Sequence, residues 1–459
     1  MAERLIVVGG DAAGMAAASQ ARRRRDPADL EIVAFERGHF TSYSACGIPY
    51  WISGVLPERD QLIARDPATF REKFDIDVRL RHEVTAIDLD RREVLVRDLA
   101  GGAEVRAGFD TLVYATGATP VRPGWASGGV AGVFGVQTLD DGMALLNWLE
   151  REPRPRRAVV VGGGYIGVEM AEALLQRGLS VDLLEQADQP MSTVDPDMAE
   201  LVSDAMRKIG IGIRTGLTVT GLQERDGRIA TVVTTEGPVP ADVVVLGLGV
   251  RPNTALAEAA GLPLGPTGGV RTDRRMRVPG VPGVWAAGDC VETLHRVSGM
   301  PVHIPLGTHA NKQGRVAGIN IGGGYATFPG VIGTAVTKVC DLEVGRTGLR
   351  ERDATEAGFE FITVMAESTS RAGYYPGARP MTVKLIAERP DGRLLGAQIV
   401  GWSEAAKRID ALAVALWNDM TVDEMTSLDL GYAPPFAPVW DPVLIAARKA
   451  VDTLTRSRR

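Results

Sequence analysis

Two stretches of the chain pass through the same succession of patterns. An unbroken apolar run, Leu5-Ile6-Val7-Val8, stops at Gly9-Gly10, and an alanine-rich stretch follows. The same order returns at Ala158-Val159-Val160-Val161, which stops at Gly162-Gly163-Gly164 before Val168-Glu169-Met170-Ala171-Glu172. Short apolar runs bounded by glycine predict strands buried on both faces, as in a parallel sheet. Each predicted strand leads into a helix and then a second strand, Leu30–Phe35 in one case and Ser180–Leu184 in the other. Two further runs, Thr111-Leu112-Val113-Tyr114 and Val284-Trp285-Ala286-Ala287, read as buried strands ending in glycine turns. Near the end, Ile409, Leu412, Leu416 and Met420 fall on one face of a helix predicted over 404–420, a core or dimer contact. Gly322-Gly323-Gly324 and Pro329-Gly330 mark a linker before that region.

The glycines at the ends of the two leading strands are spaced for a purpose. Gly162, Gly164 and Gly167 enclose Tyr165 and Ile166 in the order GxGxxG. The first glycine makes a tight turn, the second admits a pyrophosphate against the backbone, and the third lets helix pack on strand. The helix start then faces the phosphate charge. In the first copy Gly9, Gly10, Ala13 and Gly14 keep the pattern, with Asp11 at the middle position. Glu36 and Glu185 close the second strands near the spacing of about 20 residues expected for a ribose-binding acid. A carboxylate at 185 favours a ribose diol over a 2′-phosphate, so NADH is preferred over NADPH there. One copy alone could be ordinary turn chemistry; two, each with strand, helix and acid in order, predict two dinucleotides. A flavin, FAD, and a nicotinamide are the natural pair.

Composition narrows the rest. A chain of 459 residues with 45% hydrophobic and 24% charged residues is a globular protein of about three domains. Its net charge of -6 argues against nucleic acid. No apolar run approaches the roughly 18 residues of a membrane span. The chain opens directly on a strand, without a signal-peptide pattern. Three cysteines, 46, 290 and 340, form no CxxC pair and no disulfide framework. Cytoplasmic location follows as the expectation. A lone cysteine is more often a small buried hydrophobe than a nucleophile, and Cys290 and Cys340, the latter within a predicted apolar strand, are read that way. Cys46 differs: Ser44, Gly47 and Pro49 around it are turn and helix-start residues, and a helix start lowers a thiol pKa.

Thr116-Gly117 after the third strand and Gly288-Asp289 after the fourth resemble the ATG and GD motifs of the pyridine nucleotide-disulfide oxidoreductases. Ser42-Tyr43-Ser44-Ala45-Cys46-Gly47-Ile48-Pro49-Tyr50 resembles the active-site stretch of that family's single-cysteine branch, which comprises coenzyme A-disulfide reductases, NADH oxidases and persulfide reductases. The resemblance spans essentially the whole chain. It implies an α/β fold with two Rossmann-like dinucleotide-binding domains and a C-terminal α+β dimerisation domain. The FAD domain would be split between 1–120 and 245–326, the NAD(P)H domain would be 121–244, and the interface domain 327–459.

The resemblance also implies roles. Asp289 would bond the ribityl-phosphate region of the flavin, and Tyr165 and Glu169 would flank the nicotinamide. Tyr374 and Tyr432 would cross a homodimer interface toward the partner's cysteine, although by themselves they read as strand and turn aromatics. Gln20, Arg23, Ser42 and His309 match positions that contact coenzyme A, as substrate or as a mixed disulfide on the enzyme, and Lys73 lies near another. The bland reading of Arg22–Arg25 is a solvated helix end. Ala45 and Ala16 replace polar residues of many relatives, which puts the thiol substrate in doubt. The implied activity is electron transfer from NAD(P)H through flavin to Cys46 and on to coenzyme A disulfide or a related small disulfide. Persulfide or polysulfide reduction and oxygen reduction through a sulfenic acid use the same residues. A ferredoxin-type reductase and a non-enzymatic flavoprotein redox sensor are the alternatives outside that chemistry.

Overall fold

The computed structural model describes residues 2–457, which form two similar α/β units and a C-terminal α+β unit. In the first unit five parallel strands lie in the order Val284–Ala286, Thr111–Tyr114, Glu3–Val8, Leu30–Glu36, Asp77–Leu80. The leading strand is central, and Leu5, Ile6 and Val7 are wholly buried, as a run covered on both faces should be. The chain works outward to Asp77–Leu80, makes an antiparallel meander of His82–Asp88, Glu93–Asp98 and Glu104–Gly108, then returns to the other side of Glu3–Val8. That reversal opens a crevice at the carboxyl ends of the strands, where ligands of such sheets bind.

The second unit repeats the plan. Its parallel order is Gly212–Arg214, Ser180–Leu184, Arg157–Val161, Val243–Leu246, Val133–Gly135, with a meander of Val219–Arg225, Arg228–Thr234 and Gly237–Pro240 before the return. The boundary expected at 244 therefore falls inside a strand of this unit. The chain rejoins the first unit through Val250–Pro252, which pairs antiparallel with Ala118–Pro120. An apolar run such as Val243-Val244-Val245-Leu246 carries no mark of which sheet it will join.

Helices Ala12–Arg22 and Gly307–Ile321 pack closely in the first unit. Side chains at Gly314 and Gly318 would collide with the carbonyls of Ala13 and Ala17, so only glycine permits that approach.

The last unit is an antiparallel sheet ordered Ala335–Val339, Leu342–Gly348, Leu394–Gly401, Pro380–Glu388, Phe361–Thr369. Ile409, Leu412 and Leu416 of helix Ala405–Trp417 are buried with Val383, Leu385 and Ile399 of the sheet. The helix face is thus core of its own domain. It ends before Met420, because Asp419 turns the chain at φ +53°.

Candidate active site

Both nucleotide cradles are built alike. Gly9 and Gly162 turn at φ +107° and +100°, each against the loop that follows a neighbouring strand. Glu36 accepts the Gly10 N–H at 2.8 Å and the Gly38 N–H at 2.7 Å. Glu185 accepts the Gly163 N–H at 2.6 Å and the Ala187 N–H at 2.9 Å. Each acid thus binds its fingerprint loop and its own following turn, which fixes the direction of the carboxylate. Beside Glu185 lies a cleft of about 450 Å³ lined by Gly162, Gly163, Gly164, Trp125, Thr218 and Leu248 among others. Gly164 faces open space, as the point of closest phosphate approach must. Trp125, Thr218 and Leu248 were not foreseen, since nothing in their local sequence marks them.

The first cradle fits a flavin. Asp289 has its carboxyl pushed up by burial, with His303 acting the other way, and its side chain has no hydrogen-bond donor among the described residues. A ribityl hydroxyl would supply one. Asp11, a mismatch as a pattern, proves to be an active part of this cradle. Burial raises its carboxyl to about 7, Glu36 and Asp289 add like charge, and the Tyr43 N–H opposes the rise. That N–H donates to Asp11 Oδ1 at 3.2 Å, so the fingerprint loop is tied to the cysteine segment.

Cys46 lies in the short turn Ala45–Gly47, just before helix Ile48–Ser53. The segment is held by Ser44 N–H to Leu62 O and Ala64 N–H to Ser42 O, both 2.8 Å, with Ser42 at φ +51°. Ile48, Trp51 and Ile52 pack in one cluster with Val168, Met170 and Ala171 of the second unit. The cysteine therefore stands between the two cradles. It is open on its solvent side. The expectation that a helix start would lower its pKa is reversed. Withdrawal of water raises the thiol pKa, the Glu169 and Asp289 carboxylates raise it further, and the thiol's backbone hydrogen bond is the smallest influence. A helix of six residues sums few dipoles.

Glu169 is itself pushed up by burial and accepts the Thr337 hydroxyl at 2.7 Å. Tyr165 is set at the start of the same helix, its buried hydroxyl next to that of Thr193 and, among the described residues, without a completed hydrogen bond. Ile166, the next residue, is half-buried on that first turn. Cys290 is wholly buried, and burial raises it to about 12. Cys340 occupies a turn at φ +57° between two strands rather than a strand, and is likewise raised to about 12.

Among the four arginines, Arg22 binds the carbonyls of Phe74, Leu30 and Asp75, Arg24 binds Gln20, and Arg25 binds Glu3 and Asp29. Arg23 is exposed and, among the described residues, its side chain has no such partner. Lys73, exposed on helix Pro67–Phe74, lies beside the carbonyls held by Arg22. His309 is half-buried at the first turn of the helix packed on Ala12–Arg22, its pKa lowered by burial. Gln20 lies on the last turn of Ala12–Arg22, against Gly318 of the second helix, and Arg23 follows at its end. Tyr374 and Tyr432 come from separate loops tied by Ala372 N–H to Pro434 O at 3.2 Å. Their phenols are neighbours, and the Tyr432 phenol raises the pKa of Tyr374. They are 78% and 49% exposed, beside exposed Phe436, Val439 and Trp440. Contiguous apolar surface of this kind marks an interaction site.

Two parallel-sheet cradles, an exposed cysteine between them and a third α+β unit define a two-dinucleotide flavoprotein oxidoreductase, one that binds FAD and NAD(P)H. The chain belongs to the pyridine nucleotide-disulphide oxidoreductases: that family matches residues 3–314, and its dimerisation domain matches residues 334–442. The NAD(P)H coenzyme A polysulfide/persulfide reductase of Pyrococcus horikoshii is 38% identical over 98% of both chains. The coenzyme A disulfide reductase of Staphylococcus haemolyticus is 29% identical over 98% of this chain and 99% of its own. The solved structure of an NAD-dependent persulfide reductase from A. fulgidus superposes with a TM-score of 0.95 at 39% identity, covering 99% of this chain and 84% of that one. Among the described residues no helix is long and apolar enough to cross a membrane.

Proposed function

We propose that this enzyme uses NADH to reduce a sulfur–sulfur bond carried by coenzyme A or a similar small thiol, with Cys46 as the redox-active residue. The placement of Cys46 between the two cradles carries this reading. Bound FAD would supply the transfer of an electron pair between nicotinamide and sulfur. Glu185 would hold the ribose of NADH and disfavour the 2′-phosphate of NADPH. Tyr165 and Glu169 would orient the nicotinamide end.

The Cys46 thiolate attacks one sulfur of the substrate, forming a mixed disulfide and expelling the other sulfur as a thiolate. The electron pair from NADH then cleaves the mixed disulfide, restoring Cys46 and releasing the second thiol. The sum is one disulfide, one NADH and one proton giving two thiols and NAD+. Tyr374 and Tyr432 of the partner subunit, in a homodimer that buries the exposed aromatic loops, would protonate the leaving thiolate. Arg23, with Gln20, Ser42, Lys73 and His309, would read the nucleotide part of coenzyme A. A reducing compartment, the cytoplasm, suits an enzyme whose cycle passes through a free Cys46 thiol.

Persulfide reduction is the second reading. It is favoured by the higher identity to persulfide reductases, 38–39% against 29% for the disulfide reductase. Steady-state NADH oxidation with coenzyme A disulfide, coenzyme A persulfide and oxygen separates the substrates. Cys46→Ser is the deciding variant. It should still let NADH bleach the flavin but lose sulfur reduction, and retained turnover would point to a reductase that needs no cysteine.

A further inference from the structure

The wall of the NAD(P)H cleft is partly held from outside its own domain. Residues 186–195 leave the ribose acid, line the cleft through Gln186 and Ser192, and lead into helix Pro196–Lys208. Within the segment, the Met191 N–H donates to Gly163 O of the fingerprint at 2.7 Å. Beyond that point the contacts come from the dimerisation domain. Arg350 donates to the Ser192 carbonyl, and Arg346 to the Thr193 carbonyl at 3.1 Å. Gln398 accepts the Asp195 N–H at 2.8 Å and donates to the Asp195 carboxylate at 2.6 Å. The Glu351 N–H donates to the other carboxylate oxygen at 3.0 Å. Lys384, 2% exposed, lies 3.2 Å from Asp195, 2.8 Å from Asp197 and 2.6 Å from Glu351.

These contacts are preset. Asp353 grips the Arg350 guanidinium through both oxygens, at 2.9 and 2.6 Å, so the group that reaches Ser192 is aimed before any coenzyme arrives. A buried lysine among three carboxylates is costly to unpair, so the knot resists opening. Within the second unit itself, the Thr193 hydroxyl neighbours the buried Tyr165 hydroxyl at the start of helix Tyr165–Gln176, and neither completes a hydrogen bond among the described residues. A segment ordered in advance spares the coenzyme the entropy of ordering it.

We infer that the dimerisation domain is a positioning element of the coenzyme site: Arg346, Arg350 and the Lys384–Asp195–Gln398 knot hold residues 186–195 in the shape that the dinucleotide meets. Coenzyme affinity is then set partly from the domain that also carries Tyr374 and Tyr432. The coupling is reciprocal, so NAD+ should tighten the docking of that domain. The inference rests on the cleft being the NAD(P)H site.

The test uses FAD-loaded enzyme with Arg350→Ala and Gln398→Leu, and Ile409→Val as a lesion in the same domain away from the clamp. NAD+ is titrated calorimetrically, and KM for NADH, kcat and melting temperature are recorded. Arg350→Ala and Gln398→Leu should raise the NAD+ Kd and the NADH KM about fivefold or more. Their kcat at saturating NADH should stay within about twofold, as for loss of uniform binding. Ile409→Val should lower the melting temperature with Kd unchanged. Arg350→Lys, which keeps charge beside Asp353, should recover part of the affinity. In the wild type, NAD+ should slow amide hydrogen exchange in strand Leu394–Gly401. If the two clamp variants lose thermal stability but keep the wild-type Kd, the clamp is structural only and the inference fails. If wild-type enzyme does not bind NAD+, the cleft assignment fails first and the inference with it.

Discussion

Replacing Glu185 with glutamine keeps the size of the side chain and removes its charge. In the structure this carboxylate accepts two backbone N–H groups, from Gly163 at 2.6 Å and Ala187 at 2.9 Å, and its remaining lone pairs face the cleft. A ribose hydroxyl bonded to a carboxylate contributes about 1.5–3 kcal/mol, and roughly 1 kcal/mol when the acceptor is neutral. The net loss for NADH is about 0.5–2 kcal/mol. For NADPH the change runs the other way. Two unit charges about 4 Å apart repel by ~1 kcal/mol in water and ~4 kcal/mol near a protein surface. Glu185 is half-buried in an open cleft, so about 1–2 kcal/mol of relief is the reasonable part of that range. Together these shift the NADH-to-NADPH preference by about 1.5–4 kcal/mol, or roughly 10- to 900-fold in the ratio of kcat/KM. The assay is steady-state oxidation of each coenzyme with one fixed disulfide. A ratio unchanged within threefold would refute the role given to Glu185, whatever the variant did to either rate alone.

Three other changes test the site. Because burial and the Glu169 carboxylate raise the Cys46 pKa, iodoacetamide labelling of the reduced enzyme should climb about tenfold per pH unit from neutral upward. Glu169→Gln removes a like charge, lowers that pKa and should speed labelling at pH 8; slower labelling would show that Glu169 helps the thiolate. Arg23→Ala should raise KM for coenzyme A disulfide about tenfold, as loss of one charge-assisted phosphate contact does, and leave a disulfide without phosphates unaffected. Asp11 binds its proton more tightly in the fold, with a pKa near 7, than in the unfolded chain near 3.8. Its contribution to stability is therefore present below pH 4 and lost as pH rises to about 7. Asp11→Asn should gain stability relative to wild type across that window in urea melts of the flavin-free protein, and parallel curves would refute the assignment.

Much of the candidate site could be read along the chain because its parts are local. A strand, a glycine turn, a helix and an acid ending the next strand lie within about 30 residues, the span of one βαβ unit. Gly9 to Glu36 and Gly162 to Glu185 are therefore complete signals, and both units fold as they predict. Asp11 was legible as a departure from pattern, but its meaning was not. It depends first on burial and then on Tyr43, Glu36 and Asp289, which approach it from other elements. The Cys46 pKa was misjudged for the same reason. The helix start is visible in sequence, whereas the burial of the thiol, and after it the Glu169 carboxylate 123 residues on, come from the packing of the other domain.

The sequence by itself determined which short runs become buried strands, where the phosphate-facing turns fall, and that Cys46 sits at a turn before a short helix. These follow from spacing, glycine and apolar pattern, and they act over a few residues. Only the tertiary structure decided that Val243–Leu246 joins the second sheet, that helix Ile48–Ser53 packs on the second unit, and that Arg346, Arg350 and Lys384 grip residues 192–197. Those outcomes depend on which surfaces meet after the strands have formed. Packing and charge pairing between distant segments leave no periodic trace in either one.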